Sequence, residues 1–224
     1  CQMVVPFWKD AFPKLLSYNR FIEIMPRCLQ ALTSFFNQVK GKDTGISIID
    51  STKLVVCHNL RIKRHRVFKD LAGRGKSSTG WFYGFKLHIV INHLGEIINI
   101  KLTSGNIHDV AVLESLTQDL KGILLGDKGY LSKAKADILA SRGLKILTPS
   151  RRNAKTKYIQ TEEDKQLLCR RCLIETVNDQ LKNLNQIEHS RHRSVNNFMV
   201  NMMAAVVAYC LNPNKPTFRN MLKK

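Results

Sequence analysis

Three acidic residues carry the chemistry that this sequence could support. Asp50 closes the apolar run in ISIIDSTKL, Asp127 closes the one in ILLGDKGY, and Glu175 sits within RRCLIETVNDQLKNL. A carboxylate beside buried apolar residues loses hydration, which is costly unless a cation or hydrogen-bond donors neutralise it. Lys53, three residues on, would serve for Asp50. A metal ion shared with two other carboxylates is the alternative, and oxygen-only ligands favour Mg²⁺, with Mn²⁺ as a substitute. Taken singly, each acid has a plainer role: Asp50 and Asp127 as turn caps, Glu175 in i,i+4 surface pairs.

Such groups need strand ends and helix faces to converge. In open α/β sheets, functional side chains gather just beyond the carboxyl ends of strands. One strand is expected to end near Asp50–Lys53 and another at Asp127, where the Gly two residues on permits a sharp exit. Around Glu175, the residues Ile174, Val177, Leu181 and Leu184 repeat at three and four as a buried stripe. Arg171, Glu175, Asn178 and Lys182 form an adjacent polar stripe, so Glu175 lies between two cations at the edge of the buried face.

The surrounding elements alternate in a readable order. WFYGFKLHIVIN and EIINIKLTS flank a tight turn as an antiparallel hairpin. VAVLESLTQDL reads as a helix, ILLGD as a buried strand, SKAKADILASRG as a helix ending at Gly143, and LKILT as a further buried strand. This order implies an α/β fold whose later strands are added in parallel by right-handed crossovers. Before them, residues 20–40 carry an apolar helical stripe kinked or restarted at Pro26. Residues 1–40 thus read as the end of a helical N-terminal element, and 212–224 as a basic tail.

The chain of 224 residues holds 36 Lys+Arg against 17 Asp+Glu, a formal charge of +19. A surplus of that size favours a polyanionic partner, most simply nucleic acid, and makes binding salt-dependent. Two segments concentrate it. RIKRHRVFKDLAGRGK, with Arg61, Lys63, Arg64 and Arg66, has seven cations against one Asp, and SRRNAKTK, with Arg151 and Arg152, has four and no acid. Six scattered cysteines fit a reducing cytoplasm rather than a disulfide framework. Cys169-x2-Cys172 is a lone pair without a second pair at zinc spacing. The 17-residue run Val195–Leu211 carries three Asn and is followed by Pro213, so it reads as a helix inside the domain, not a membrane span. No secretory signal is visible, and a start at Cys suggests that an upstream segment is missing.

Together these residues resemble the DDE transposases of bacterial insertion sequences. The matching pieces are IIDST around Asp50, SGNIHD (Ser104–Asp109), GDKGY around Asp127, and Arg171, Glu175 and Lys182 as an Arg-x3-Glu-x6-Lys signature. The resemblance covers about residues 45 to 211. It implies a ribonuclease-H-like mixed five-stranded sheet, the first three strands antiparallel and the rest parallel, flanked by helices. It also implies two metal ions about 4 Å apart, held by Asp50, Asp127 and Glu175, with Asp50 bridging both. Double-stranded DNA at element ends and target, a dimer on DNA, and a place at the bacterial nucleoid follow as expectations. Phosphate contacts are expected from Arg171, Lys182, Arg61, Lys63, Arg64, Arg66, Arg151 and Arg152. A catalytically silent DNA-binding descendant and another ribonuclease-H-like nuclease remain the competing readings. Leu168 departs from the resemblance, standing where relatives often carry Tyr.

Overall fold

A computed structural model of the chain describes residues 10–11, 14–149, 160–188 and 192–218. Six strands form one mixed sheet: β1 (Ile46–Cys57), β2 (Gly73–Ser77), β3 (Gly80–Asn92), β4 (Ile97–Ser104), β5 (Gly122–Leu125) and β6 (Leu144–Leu147). β1 lies at the centre, antiparallel to β3 on one side and parallel to β5 on the other, and β6 extends the parallel half. β2 and β4 both pair antiparallel with β3 at different heights, β2 with residues 80–84 and β4 with residues 85–91. The expected mixed sheet is therefore present with one additional strand.

That strand comes from the segment read as a basic connector. GRGKS has no β-branched or aromatic residue to favour extension. Pairing with WFYG draws it into the sheet, through the turn at Ser78–Thr79 and Gly80, whose φ of 113° suits glycine. Gly75 lies against the Phe82 ring and the Gly105 carbonyl, where a Cβ would collide with both. The small residues that weaken the sequence signal are what lets the strands approach.

Helices cover both faces. Strand alternation sends Ile48, Leu87 and Ile89 to one side and Ile49 and Val90 to the other, into two separate cores. The larger core is closed by α2 (Cys28–Val39), α6 (Leu173–Asn183) and α7 (Val195–Leu211). The smaller is closed by α3 (Leu113–Leu116) and α4 (Lys133–Ser141). α1 (Tyr18–Ile24) is separated from α2 by a 3-10 turn containing Pro26, as the proline predicts. α5 (Glu162–Cys169) starts with a capping box, Thr161 and Asp164 each bonding the other's backbone N–H.

α7 settles the question raised by its apolar run. Nine of its residues are buried, including Phe198, Met202 and Val206, and Tyr209 Oη donates to the Gly95 carbonyl at 2.7 Å. It packs inside the domain. Among the described residues, no helix is long and apolar enough to cross a membrane.

Two expectations need correction. VAVLESLTQDL is helical only as a 3-10 turn, Asp109–Val112, followed by the single turn of α3. Thr117 caps that turn by donating from Oγ1 to the Leu113 carbonyl, an alternative to continuing the helix. Leu184 leaves the buried stripe, because α6 stops at Asn183 and Leu184 is 69% exposed.

Candidate active site

The pairing of β1 with β5 sets the site. Ile48 stands opposite Leu125 at the end of that parallel ladder, and Asp50 and Asp127 each follow two residues further on, near enough for the Asp127 charge to act on Asp50. β1 does not end near Asp50–Lys53 as expected; it runs on to Cys57, paired there with β3 and no other strand. Asp50 is therefore mid-strand, at the level where its parallel neighbour stops. Asp127 begins the 3-10 turn Lys128–Tyr130, and its side chain makes no capping bond there. Neither acid serves as a turn cap.

Asp50 is half-buried, and α6 reaches it from above. Asn178 Nδ2 donates to Asp50 Oδ2 at 3.1 Å. The carboxyl is pushed up to about 6, chiefly by burial, and further by the like charges of Asp127 and Asp109, against the opposing pull of the Ser51 backbone N–H and Arg171. Burial opposes its ionisation more strongly than Arg171 and the Ser51 N–H favour it. Two carboxylates on neighbouring segments, one with its ionisation opposed in this way, are oxygen donors of the kind that a hard divalent cation takes.

Glu175 lies in the first turn of α6, three residues before Asn178. Its side chain is 58% exposed and turned to Arg171, Oε1 to Nη2 2.9 Å, which is the plain i,i+4 pair. The structure thus brings Asp50 and Asp127 to adjoining positions and leaves Glu175 on the neighbouring helix turn, facing its arginine. Among the described residues, no three His, Cys, Asp or Glu side chains form a ready-made metal cage. Cys172 Sγ lies 3.2 Å from the Cys169 carbonyl, a local contact within its turn.

The expected DNA-facing cations divide into groups. Lys182 pairs with Glu188 at 3.2 Å, and Glu188 Oε1 also accepts the Val55 backbone N–H at 3.0 Å. That bond falls beside the irregularity in β1–β3 register between Val55 and Cys57, supplying an acceptor where the ladder slips. Arg61, Lys63 and Arg64 are exposed on the 3-10 turn Asn59–Arg64, and Arg66 is exposed just after it. Arg151 and Arg152 lie outside the described residues.

Asp109, which entered the sequence reading only as the last residue of SGNIHD, lies at the centre of a polar cluster. Its Oδ1 accepts from Ser51 Oγ at 3.1 Å and Lys86 Nζ at 3.1 Å, and lies 3.8 Å from His88 Nδ1. Lys86 also donates to the Ile107 carbonyl at 3.0 Å, and His88 Nε2 lies 2.8 Å from Thr103 Oγ1. Burial pushes the His88 ring down to about 4 despite Asp109, so it is neutral near pH 7. Ser51 adjoins Asp50, and Gly129, where a Cβ would touch Asp109 Oδ2, lies in the turn after Asp127. The cluster clasps both acid-bearing segments from the face opposite α6. The one signal in the sequence was the pairing of Lys86 and His88 with polar residues inside an otherwise apolar strand.

The sequence profile of the family described as "Transposase DDE domain" matches residues 40–195. No curated protein sequence matches the chain. The cryo-EM structure of a piggyBac transposase synaptic complex with hairpin DNA is similar in fold, with a TM-score of 0.52 at 12% identity over 90% of this chain. This chain spans 54% of that one, about half its length. The crystal structure of the catalytic domain of Mos1 mariner transposase matches at 12% identity over 88% of this chain and 92% of that one, with a TM-score of 0.29.

Proposed function

The chain belongs to the transposase DDE domain family, and from that premise we propose that it cleaves DNA at element ends and joins them to a target. Asp50, Asp127 and Glu175 are the proposed metal-holding carboxylates. The observation that supports this best is that Asp50 and Asp127 each follow the end of the β1–β5 ladder by two residues, with the ionisation of Asp50 opposed by burial and by the Asp127 charge.

Mg²⁺, or Mn²⁺ in its place, would supply Lewis acidity and a water of lowered pKa for in-line attack on a phosphodiester. The chain's own residues do the rest. Asn178 holds Asp50 Oδ2 and fixes the carboxylate plane. Arg171 offers a guanidinium that a DNA phosphate can take from Glu175, freeing that carboxylate to turn toward the two aspartates. Asp109 and Ser51 brace the strand beneath. The exposed cations of residues 61–66 contact phosphates without reading sequence. Double-stranded DNA is the proposed substrate, bound by a pair of chains.

A second reading, a DNA-binding descendant without catalysis, draws on the Glu175–Arg171 pair, which leaves the third carboxylate outside the aspartate site. Labelled element-end DNA incubated with the protein and Mg²⁺ separates the two. Strand cleavage that is lost in Asp50→Asn, Asp127→Asn and Glu175→Gln, with DNA affinity kept within twofold, supports the first. Cleavage retained in any one variant removes that residue from the site. Binding by the unaltered chain with no cleavage in Mg²⁺ or Mn²⁺ leaves the second.

A further inference from the structure

We propose that the β2–β3 hairpin is a stacking platform for an unpaired nucleobase, with Trp81 as the ring and Arg74 and Lys76 as the cations that meet the adjoining phosphates. The inference rests on the nucleic-acid reading above and adds strandedness to it.

Trp81 is the first residue of an alternating set, followed on the same face of β3 by Tyr83, Phe85, Leu87 and Ile89. The last four are buried and Trp81 is 53% exposed. The core stops below the indole, and the strand carries a large aromatic past it into solvent. Two cations attend the ring. Lys76 is its direct partner in the β2–β3 ladder and Arg74 is diagonal to it, their charged ends 5.8 and 5.1 Å from the ring centroid. Both come from β2 and lie over the ring in cation–π contact, so a base that stacks on the indole must share its surface with them or use what they leave uncovered. The Asn59–Arg64 turn carries exposed Arg61, Lys63 and Arg64, and Asn59 Nδ2 donates to the Trp81 carbonyl at 2.8 Å.

The arm is stiff. Lys53 Nζ donates to Thr79 Oγ1 at 2.6 Å, and Ser77 Oγ donates to the Gly80 carbonyl at 3.2 Å, tying the turn to β1 and to itself. A fixed aromatic face between cations is preorganised for a ligand that combines negative charge with a flat π-surface. Nucleic acid has both. A duplex keeps its base faces stacked inside, so it can engage the cations but offers the indole only its outer edges. An unpaired base offers the face itself, as on other single-strand binding surfaces.

The test measures anisotropy of a labelled 20-nucleotide single strand and of the same sequence as a duplex, at 50 and 200 mM NaCl. Trp81→Ala is expected to weaken single-strand binding by about 5–150-fold, the equivalent of ~1–3 kcal/mol for one stacked base. Duplex affinity should stay within twofold, and Trp81→Phe should restore most of the loss. Arg74→Ala/Lys76→Ala should weaken both substrates and reduce the slope of log K against log salt by roughly 1.4–1.8. Equal losses on both substrates, or no single-strand loss in Trp81→Ala, overturn the proposal and leave the indole as an internal brace for its two cations. Since Trp81 is exposed, circular dichroism should show each variant folded. Unaltered chain that binds both substrates, with Trp81→Ala binding the single strand equally well, sinks this inference alone. Unaltered chain that binds neither substrate sinks the nucleic-acid reading with it.

Discussion

Replacing Asp50 by Asn should make the metal-free protein more stable. The carboxyl has an ordinary value near 3.8 and is raised to about 6 in the fold, first by burial and then by Asp127 and Asp109. The sign follows from proton linkage: a raised acid binds more protons folded than unfolded, so ionising it costs stability. That cost is fully present above pH 6, declines as pH falls, and vanishes below the unfolded value. The difference between about 6 and 3.8 corresponds to an upper bound of roughly 3 kcal/mol at neutral pH. Asn keeps the shape and can still accept from Asn178, but its own amide is desolvated, so about 2 kcal/mol should be recovered. For a chain of 224 residues that is a rise in Tm of roughly 4–8 °C. Differential scanning fluorimetry with chelator at pH 7.5 and pH 4 provides the assay. The gain should be present at pH 7.5 and absent at pH 4. Millimolar Mg²⁺ should raise the Tm of the unaltered chain and leave Asp50→Asn unmoved. A variant no more stable than its parent at pH 7.5 would refute the account of Asp50 as an acid whose ionisation the fold opposes.

Three further expectations test the frame around it. Gly122→Ala should cost well over 2 kcal/mol and Gly143→Ala about 1 kcal/mol in urea unfolding. Both have positive φ, 86° and 80°, but a Cβ at Gly122 runs into the Gly45 backbone while Gly143 has open space. Thr161→Ala removes one half of the capping box on α5 and should lower stability by about 1 kcal/mol, read as a Tm roughly 2–4 °C lower. Asp109→Ala leaves Ser51 and Lys86 without their shared acceptor and should cost about 1–3 kcal/mol, with Asp109→Asn costing less; equal stability would show the cluster to be idle.

What could be read from the sequence follows the strength of local pattern. The two aspartates stood out because each ends an apolar run, and the parallel ladder sets side by side the segments that lead to them. α6 and α7 were legible from their stripes, up to Leu184, where the pattern outlasts the helix. β2 was not, because its residues are there to be small and the signal for a strand is bulk. The turn of Glu175 toward Arg171 is a matter of rotamer, and spacing along a helix fixes which residues share a stripe but not which way a side chain turns. Asp109 was half legible: its loop stood out, but the lysine and histidine that fix it come from another strand.

The central position of β1 also sets when the protein can finish folding. Its Val55 amide waits for Glu188, 133 residues later in the chain. At a synthesis rate of about 5–20 residues per second, that strand emerges from the ribosome roughly 7–27 seconds before its last partner. For the first part of this interval, until β5 and then α6 emerge, the flanks of Ile48 and Ile49 have neither element to cover them. The antiparallel partner β3 follows sooner and is the natural early shield, so damage to the β1–β3 pairing at Gly84, where a Cβ would strike the Leu54 carbonyl, should appear first as lost soluble yield during expression.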